Sequence, residues 1–286
     1  MKWLITSFTN STKVNNFIVR TLTGIVFAIS IIGSILISHY LFSLLFLVVT
    51  IFTMLEFYKL ADSGLSIKIQ TKLGVFTGSM LFFLSSLSSL GLISTKFLAI
   101  IFLLTGLLFI VEMYRNKTTP FLNISMTLAG IFYIALPFSI LNFFYTPHFD
   151  FSNGNYEVLI GFFLILWVND SLAYLVGSSI GKHRLFERIS PKKSWEGSIG
   201  GFAFGLLTAW GISFFFKELD LINWLIIAAI IMIFGTFGDL VESLFKRSLN
   251  IKDSGSFLPG HGGLLDRFDA VFLAAPAVFV YLILIN

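Results

Sequence analysis

Apolar runs of about 20 residues recur along the whole chain, and each is long enough to cross the hydrocarbon core of a bilayer as an α-helix. Of the 286 residues, 56% are hydrophobic and only 12% are charged. Soluble domains carry roughly 25% charged residues. A spanning backbone must be helical or form a closed barrel, and these runs lack the alternation of barrel strands. The sequence therefore predicts an all-α, polytopic transmembrane helix bundle.

About nine spans are predicted. Their approximate bounds are 20–38, 40–58, 73–93, 97–113, 124–145, 157–177, 199–216, 221–241 and 267–285. Short polar breaks at residues 38–40 and 95–96 separate two pairs of neighbouring spans, so the count depends on those breaks.

The positions of Lys and Arg predict the orientation. If the N-terminus lies in the cytoplasm, 17 of the 19 basic residues fall on the cytoplasmic side, and only Lys96 and Lys217 fall outside. Two charged loops, 178–198 and 242–266, then share the cytoplasmic side. Because orientation accounts for the net charge of +4, no nucleic-acid partner is needed. The chain has no cysteine, which excludes disulfides and Cys-based metal sites.

The two halves of the chain differ in character. Residues 1–156 consist of apolar helices with short polar connections and are interpreted as an N-terminal transmembrane scaffold. Residues 157–286 contain almost all the unusual polar groups and are interpreted as the catalytic transmembrane region. We find no internal repeat of the kind that many transporters have.

Two aspartates lie within otherwise apolar runs. Asp170 lies in "LILWVNDSLAY" and Asp239 in "IMIFGTFGDLVESLFKR". A carboxylate at membrane depth costs a few kcal/mol or more and usually faces a cavity, a cation or a partner. The alternative for Asp170 is a structural hydrogen bond assisted by Asn169. The alternative interpretation of Asp239 is that it lies at a solvated helix end, where Gly235 and Gly238 add no side-chain bulk.

Asp266 and Asp269 are three residues apart, which places both on one face of a helix. The preceding Gly262 and Gly263 would let a ligand approach the backbone. Mg²⁺ prefers oxygen ligands, so such a pair could form a magnesium site. The alternative is capping of a helix N-terminus by Asp266. Capping explains one aspartate but accounts poorly for the set that also includes Asp239.

Basic residues are interleaved with these acids. The two clusters are Lys182, His183, Arg184, Lys192 and Lys193, and then Lys246, Arg247 and Lys252. Membrane orientation alone could place them. However, Pro191 and the glycines after it predict a shaped loop that runs into a helix N-terminus, where anions bind. Gly197, Gly201 and Gly205 are four residues apart and also predict a closely packed helix face.

His261, in "LPGHGG", has three candidate roles: a base, a ligand or a hydrogen bond that fixes the loop. One histidine without cysteine argues against zinc. The sequence contains no GxxxxGK[ST] phosphate loop.

Taken together, these residues resemble the phosphatidate cytidylyltransferase (CDP-diacylglycerol synthase) family. The resemblance is carried by "SLFKRSLNIKDSGSFLPGHGGLLDRFD", residues 243–269, which we call the signature stretch. The segments "NDSLAYLVGSSIGKHRL", "SPKKSWEGSIGG" and "GDLVES" extend it over roughly residues 165–270. Leu172 and Ser178 depart from the family pattern, which bears on the role of Asp170.

The resemblance implies that the cytidylyl group of CTP is transferred to phosphatidate, giving CDP-diacylglycerol and pyrophosphate. It also implies a Mg²⁺ cofactor, a neighbouring monovalent cation such as K⁺, and a homodimer. The expected location is the bacterial inner membrane, with the active site at the cytoplasmic face. The lipid phosphate is already anionic, so we expect direct in-line displacement without a covalent intermediate.

The residue patterns and the resemblance together predict the site. The predicted catalytic residues are Asp239, Lys246, Asp266 and Asp269, and the three aspartates are also the predicted metal ligands. The predicted substrate-binding residues are Asp170, Lys192, Lys193, Arg247, Lys252, His261, Gly262, Gly263 and Arg267.

Other functions share some of these features. A polyprenol kinase or an isoprenoid-ether-lipid cytidylyltransferase would use the same metal chemistry on another lipid. A cation-coupled transporter also has acids inside its spans, but its sites lie near the midplane on broken helices. Asp239 and Asp266 are predicted at the cytoplasmic ends of their spans, which disfavours transport.

Overall fold

The computed structural model describes residues 23–145, 156–251, 254–255 and 262–285, and most of them are helical. The helices are α1 (Thr23–Ile37), α2 (His39–Leu65), α3 (Thr71–Ser89), α4 (Ile100–Arg115), α5 (Pro120–Gly130), α6 (Leu136–Leu141), α7 (Tyr156–Ile180), α8 (Trp195–Ile212), α9 (Leu221–Ser248) and α10 (Leu265–Ile285). A π-helical turn at Ile131–Ala135 joins α5 to α6, and 3₁₀ turns lie at Thr95–Ala99 and Asn142–Tyr145.

The predicted all-α polytopic fold is confirmed. Within the described residues, six helical segments are long and apolar enough to cross a membrane. They are His39–Leu65, Thr95–Arg115, Pro120–Tyr145, Tyr156–Ile180, Leu221–Ser248 and Leu265–Ile285. The other three predicted spans correspond to α1, α3 and α8, which fall short of these segments in length or hydropathy. The total of nine spans and the cytoplasmic N-terminus therefore stay predictions.

The charged stretch 178–198 is not entirely loop. It contains strands β1 (Arg184–Phe186) and β2 (Ser190–Ser194), which pair antiparallel with Arg184 opposite Ser194. Pro191 is tolerated because a two-stranded hairpin consists only of edge strands. Ser194 then caps α8 by accepting a hydrogen bond from Gly197 N at 3.2 Å. The predicted shaped loop leading into a helix N-terminus is therefore present, with a small β-hairpin added to the all-α fold.

The two halves of the chain share one aromatic core. Phe46 of α2 packs against Phe138, Phe163 and Phe268, with ring centroids 5.8, 5.9 and 5.7 Å away. These spacings lie in the range favoured by aromatic pairs. A second contact stacks Phe57 of α2 on Phe245 of α9 at 4.8 Å. Helix α2 is therefore held firmly against the helices of the second half.

Glycines bring α7 and α8 into close contact, as their spacing predicts. Gly197, Gly201 and Gly205 lie on the buried stripe of α8, where Gly197 and Gly201 face α7 and Gly205 faces Met232 of α9. A Cβ added to Gly201 would lie 2.7 Å from Asn169 Oδ1 and 2.9 Å from Asn169 O. The α7 backbone next to Asp170 is therefore positioned by direct packing on α8.

We expect Gly201→Ala to destabilise the protein by about 1–3 kcal/mol, because overpacking a tight contact forces the backbones apart. Gly211→Ala is the matched control on the same helix, where an added Cβ meets nothing within 4 Å. The control should be neutral or stabilise the fold by up to about 1 kcal/mol. Unfolding titrations in detergent micelles measure both changes. Equal stability of the two variants would contradict the assigned packing.

Candidate active site

The two charged segments meet at one end of the helix bundle. Lys193 of β2 extends its ammonium group to Asp239 of α9, with Nζ 2.6 Å from Oδ2. The guanidinium of Arg247 lies at the other end of the same hairpin, 3.5 Å from the Ile189 carbonyl. Helix α9 extends to Ser248, beyond the predicted end at residue 241, so Lys246 and Arg247 lie in its last turns. This extension corrects the predicted start of the second loop.

Lys246 is shared by two carboxylates. Its Nζ lies 2.6 Å from Glu242 Oε2 and 2.6 Å from Asp266 Oδ1. The Glu242 side chain is only 1% exposed and that of Lys246 13%. Glu242 was not among the predicted site residues. Its position four residues before Lys246 is the spacing of an ion pair on a helix, so the sequence did contain a signal for it. The ion pairs join the end of α9 to the start of α10.

Asp266 also holds the backbone that precedes its helix. Its Oδ2 accepts hydrogen bonds from Ser254 N and Gly263 N, both at 3.2 Å. Asp266 lies in the first turn of α10, the position that the capping alternative requires, but these hydrogen bonds hold backbone that precedes the helix. Gly262 has a φ of 84°, and a Cβ there would lie 2.8 Å from Asp266 Oδ2. Glycine is required at this position by both conformation and space.

A second group of carboxylates lies between α7, α9 and α10. Asp269 lies within electrostatic range of Asp239, Asp170 and Glu242. Gly238 permits the close approach of α9 and α10, because a Cβ there would lie 3.1 Å from the Cα of Ala270. Lys193 is the cation beside both Asp239 and Asp170.

Asp170 makes the structural hydrogen bond with Asn169 that was considered as the alternative to a role in the site. Asn169 Nδ2 donates to Asp170 Oδ1 at 3.2 Å. The Asp170 side chain is nevertheless exposed to a cavity, although the bundle surrounds it. The hydrogen bond therefore leaves this carboxylate accessible.

The three predicted metal ligands fall into two groups. In one group Asp239 pairs with Lys193 and Asp269 accepts a hydrogen bond from Ala270 N. In the other group the carboxylate of Asp266 is engaged by Lys246 and two backbone N–H groups. Among the residues that the structure describes, no three Asp, Glu or His side chains form a ready metal cage. Mg²⁺ commonly takes one or two carboxylates plus water and substrate phosphates. Two carboxylates such as Asp239 and Asp269 meet that number, but ligation by any of the three aspartates stays a prediction. For Asp239 and Asp266 it requires that their contacts with Lys193 and Lys246 be exchanged.

A cavity of about 400 Å³ adjoins both groups. Asp170, Asp266, Arg267 and Asp269 form its polar side. Its apolar side is formed by α1 and α7, through residues that include Phe27, Ala28, Leu166 and Trp167. The contribution of α1 was not anticipated, since residues 1–156 were interpreted as scaffold. The cavity can accommodate a ligand with a charged head and an apolar body.

The remaining predicted substrate-binding residues occupy different positions. Lys192 and Arg247 are exposed at the hairpin and at the end of α9, and Gly263 is buried beside Glu56. Lys252 and His261 lie outside the described residues. Their predicted roles, like those of the other substrate-binding residues, stay predictions.

Fold and site together define a polytopic membrane protein with paired lysines and carboxylates beside an amphipathic cavity. The chain belongs to the cytidylyltransferase family, whose sequence model matches residues 18–285. The family resemblance found in the signature stretch is therefore confirmed.

Two similar proteins are the phosphatidate cytidylyltransferases of Staphylococcus haemolyticus (strain JCSC1435) and Staphylococcus aureus (strain COL). They are 40% and 39% identical to this chain over 165 residues. That segment is 57% of this chain and 60% of each relative, so the chain matches three-fifths of the relatives' length.

We expect Lys246→Met to destabilise the protein by about 3–5 kcal/mol, because it leaves the buried Glu242 carboxylate without its partner. The double variant Lys246→Met/Glu242→Gln should recover at least half of that loss. Lys68→Met is the control, since Lys68 and Asp62 are 3.9 Å apart, with side chains 65% and 35% exposed. Such an exposed pair contributes about 0–1 kcal/mol. If unfolding titrations give equal losses for both lysines, the buried pairing is refuted.

Proposed function

We propose that this protein transfers the cytidylyl group of CTP to phosphatidate, giving CDP-diacylglycerol and pyrophosphate. The observation that carries the proposal is the amphipathic cavity, where Asp266 and Asp269 face an apolar wall formed by α1 and α7. Family membership supports a cytidylyl donor, and the names of the staphylococcal relatives support phosphatidate as the acceptor.

The charge balance of the site supports a divalent cation. Among the residues that the structure describes, the carboxylates of Asp170, Asp239, Glu242, Asp266 and Asp269 outnumber the nearby cationic groups of Lys193, Lys246 and Arg267. A triphosphate would be repelled by this excess of negative charge. Mg²⁺ held by Asp239 and Asp269, with Asp266 as the further predicted ligand, would neutralise charge on the phosphates and on the leaving pyrophosphate. A monovalent cation such as K⁺ beside it is part of the same proposal.

The protein's own residues bind and orient the two substrates. Lys193 and Lys246 are held in place by carboxylates, and both can stabilise negative charge that develops on phosphate oxygens. The phosphatidate phosphate is already anionic, so no side chain needs to remove a proton from it. Phe27 and Trp167 can contact the apolar part of the lipid while its phosphate faces the polar side. Catalysis then rests on in-line positioning and charge neutralisation, without a covalent intermediate.

We further propose that this reaction takes place at the cytoplasmic face of a bacterial inner membrane. The hairpin and the end of α9 meet at one end of the bundle, in keeping with the bias of basic residues toward one side. A homodimer is proposed from the family resemblance alone. Transfer to an isoprenoid ether lipid would use the same geometry, and comparison of the two lipids as acceptors distinguishes these possibilities. A kinase would release CDP from CTP, whereas the proposed reaction releases pyrophosphate.

We expect Asp239→Asn and Asp266→Asn each to lower kcat/KM by about 10²-fold or more, since each removes charge from the centre that stabilises the transferring group. Asp220→Asn is the matched control, because Asp220 caps the opposite end of α9 and asparagine caps equally well. The control should stay within about threefold of the wild type. The assay combines purified protein, labelled CTP, phosphatidate and Mg²⁺ and measures labelled lipid. Near-normal turnover in the Asp266→Asn variant would refute its catalytic assignment.

We expect excess EDTA to abolish lipid labelling and added Mg²⁺ to restore it, because carboxylates and phosphates together form an oxygen-rich magnesium site. Thermal stability in EDTA should change little, since Lys193 and Lys246 pair with the site carboxylates without metal. Full activity in EDTA would exclude the proposed cofactor. A large loss of stability would instead assign the metal a structural role.

A further inference from the structure

We infer that Glu56, in the N-terminal half of the chain, is a positioning residue for Asp266. This inference rests on the proposed function. Glu56 lies on α2 and is remote in sequence from the signature stretch. Its Oε1 accepts a hydrogen bond from Ser254 Oγ at 2.5 Å, and its Oε2 accepts one from Leu264 N at 2.9 Å. One carboxylate therefore joins two segments that flank residues 256–261.

Asp266 holds the same two segments from the other side. It accepts hydrogen bonds from Ser254 N and Gly263 N, while Glu56 takes the Ser254 hydroxyl and Leu264 N. Ser254 is thus bound by both carboxylates, and so is the adjoining pair Gly263–Leu264. The position of the Asp266 carboxylate therefore depends on backbone that Glu56 fixes.

The backbone at Gly255 and Gly263 packs closely against the Glu56 carboxylate. A Cβ on Gly263 would overlap Glu56 Oε1, and one on Gly255 would lie 3.3 Å from Glu56 Cδ. These two glycines of the signature stretch thus allow the backbone to approach this carboxylate closely. The neighbouring Phe57 stacks on Phe245 of α9, which fixes α2 beside the site.

This arrangement gives Glu56 a role distinct from substrate contact. Glu56 is not among the residues that line the cavity beside Asp266 and Asp269. Its described partners are backbone and a serine hydroxyl, which need a hydrogen-bond acceptor and no particular charge. A small displacement of a catalytic group can reduce turnover by about 10²-fold. Glu56 therefore acts on the reaction through the geometry of Asp266.

The test compares Glu56→Ala with Glu56→Gln. The alanine variant loses both contacts and should lower kcat by about 10²-fold. Glutamine can accept from Leu264 N with its oxygen and donate to Ser254 Oγ with its amide, so it should recover most of that loss. Ser254→Ala, which removes one contact and keeps the backbone N–H, should give an intermediate loss and serves if Glu56→Ala does not fold.

Glu157→Ala is the matched control. Glu157 Oε2 likewise accepts hydrogen bonds from the backbone, Lys217 N at 2.8 Å and Glu218 N at 3.1 Å, near the start of α7. The Glu157→Ala variant therefore loses two hydrogen bonds to backbone N–H groups, as Glu56→Ala loses two hydrogen bonds, but at a place away from the site. Its kcat should stay within about threefold of the wild type.

Hydrogen exchange tests the positioning without any activity assay. In detergent, without nucleotide or lipid, amides of residues 262–268 should exchange about tenfold faster in Glu56→Ala, because Leu264 N loses its hydrogen-bond acceptor. Glu56→Gln and Glu157→Ala should match the wild type. If the wild type makes no CDP-diacylglycerol, the proposed function fails, and this exchange experiment still decides the role of Glu56.

Two results would overturn the inference. Unchanged exchange in Glu56→Ala would mean that Glu56 does not fix this backbone. Wild-type exchange in Glu56→Gln combined with activity as low as that of Glu56→Ala would mean that the negative charge of Glu56 acts directly in the chemistry.

Discussion

The shared ammonium group of Lys246 is the interaction on which the charged end of this bundle depends. Glu242 lies in an almost inaccessible position on α9, where an unpaired carboxylate would be strongly unfavourable. Lys246 neutralises it and at the same time pairs with Asp266 at the start of α10. The second oxygen of Asp266 is then free to bind the backbone before α10, which Glu56 binds from α2. Ion pairs thus link α9 to α10, and hydrogen bonds from the backbone and a serine hydroxyl link α2 to the same segment.

Much of this architecture is readable from local sequence, because a bilayer imposes simple rules. Long apolar runs predict helices, and the glycine spacing in α8 predicts the close contact with α7 that the structure contains. Asp266 was recognisable as a candidate site residue and as an acid in a first helical turn, and the structure places it in the first turn of α10.

Other features depend on contacts between distant segments. Glu56 follows an apolar run in "FTMLEFYKLADSGL", where a carboxylate predicts only a membrane boundary, and its partners are about 200 positions away. The contribution of Phe27 to the cavity wall likewise has no local signal. The Ser-rich α3 and Gly-rich α8 also show why the number of spans resists prediction. Polar and small residues lower the hydropathy of helices that bury them against neighbours.

The paired state of the lysines has a consequence for substrate binding. In the described site, Lys193 and Lys246 already have carboxylate partners, so a triphosphate must replace those partners or share the cations with them. Burying an ammonium group without a partner would be costly, and the carboxylates keep both groups ordered before substrate arrives. An exchange of carboxylate for phosphate leaves excess negative charge on Asp239 and Asp266. A divalent cation that arrives with the nucleotide would compensate for this charge, so cation and nucleotide are expected to bind cooperatively.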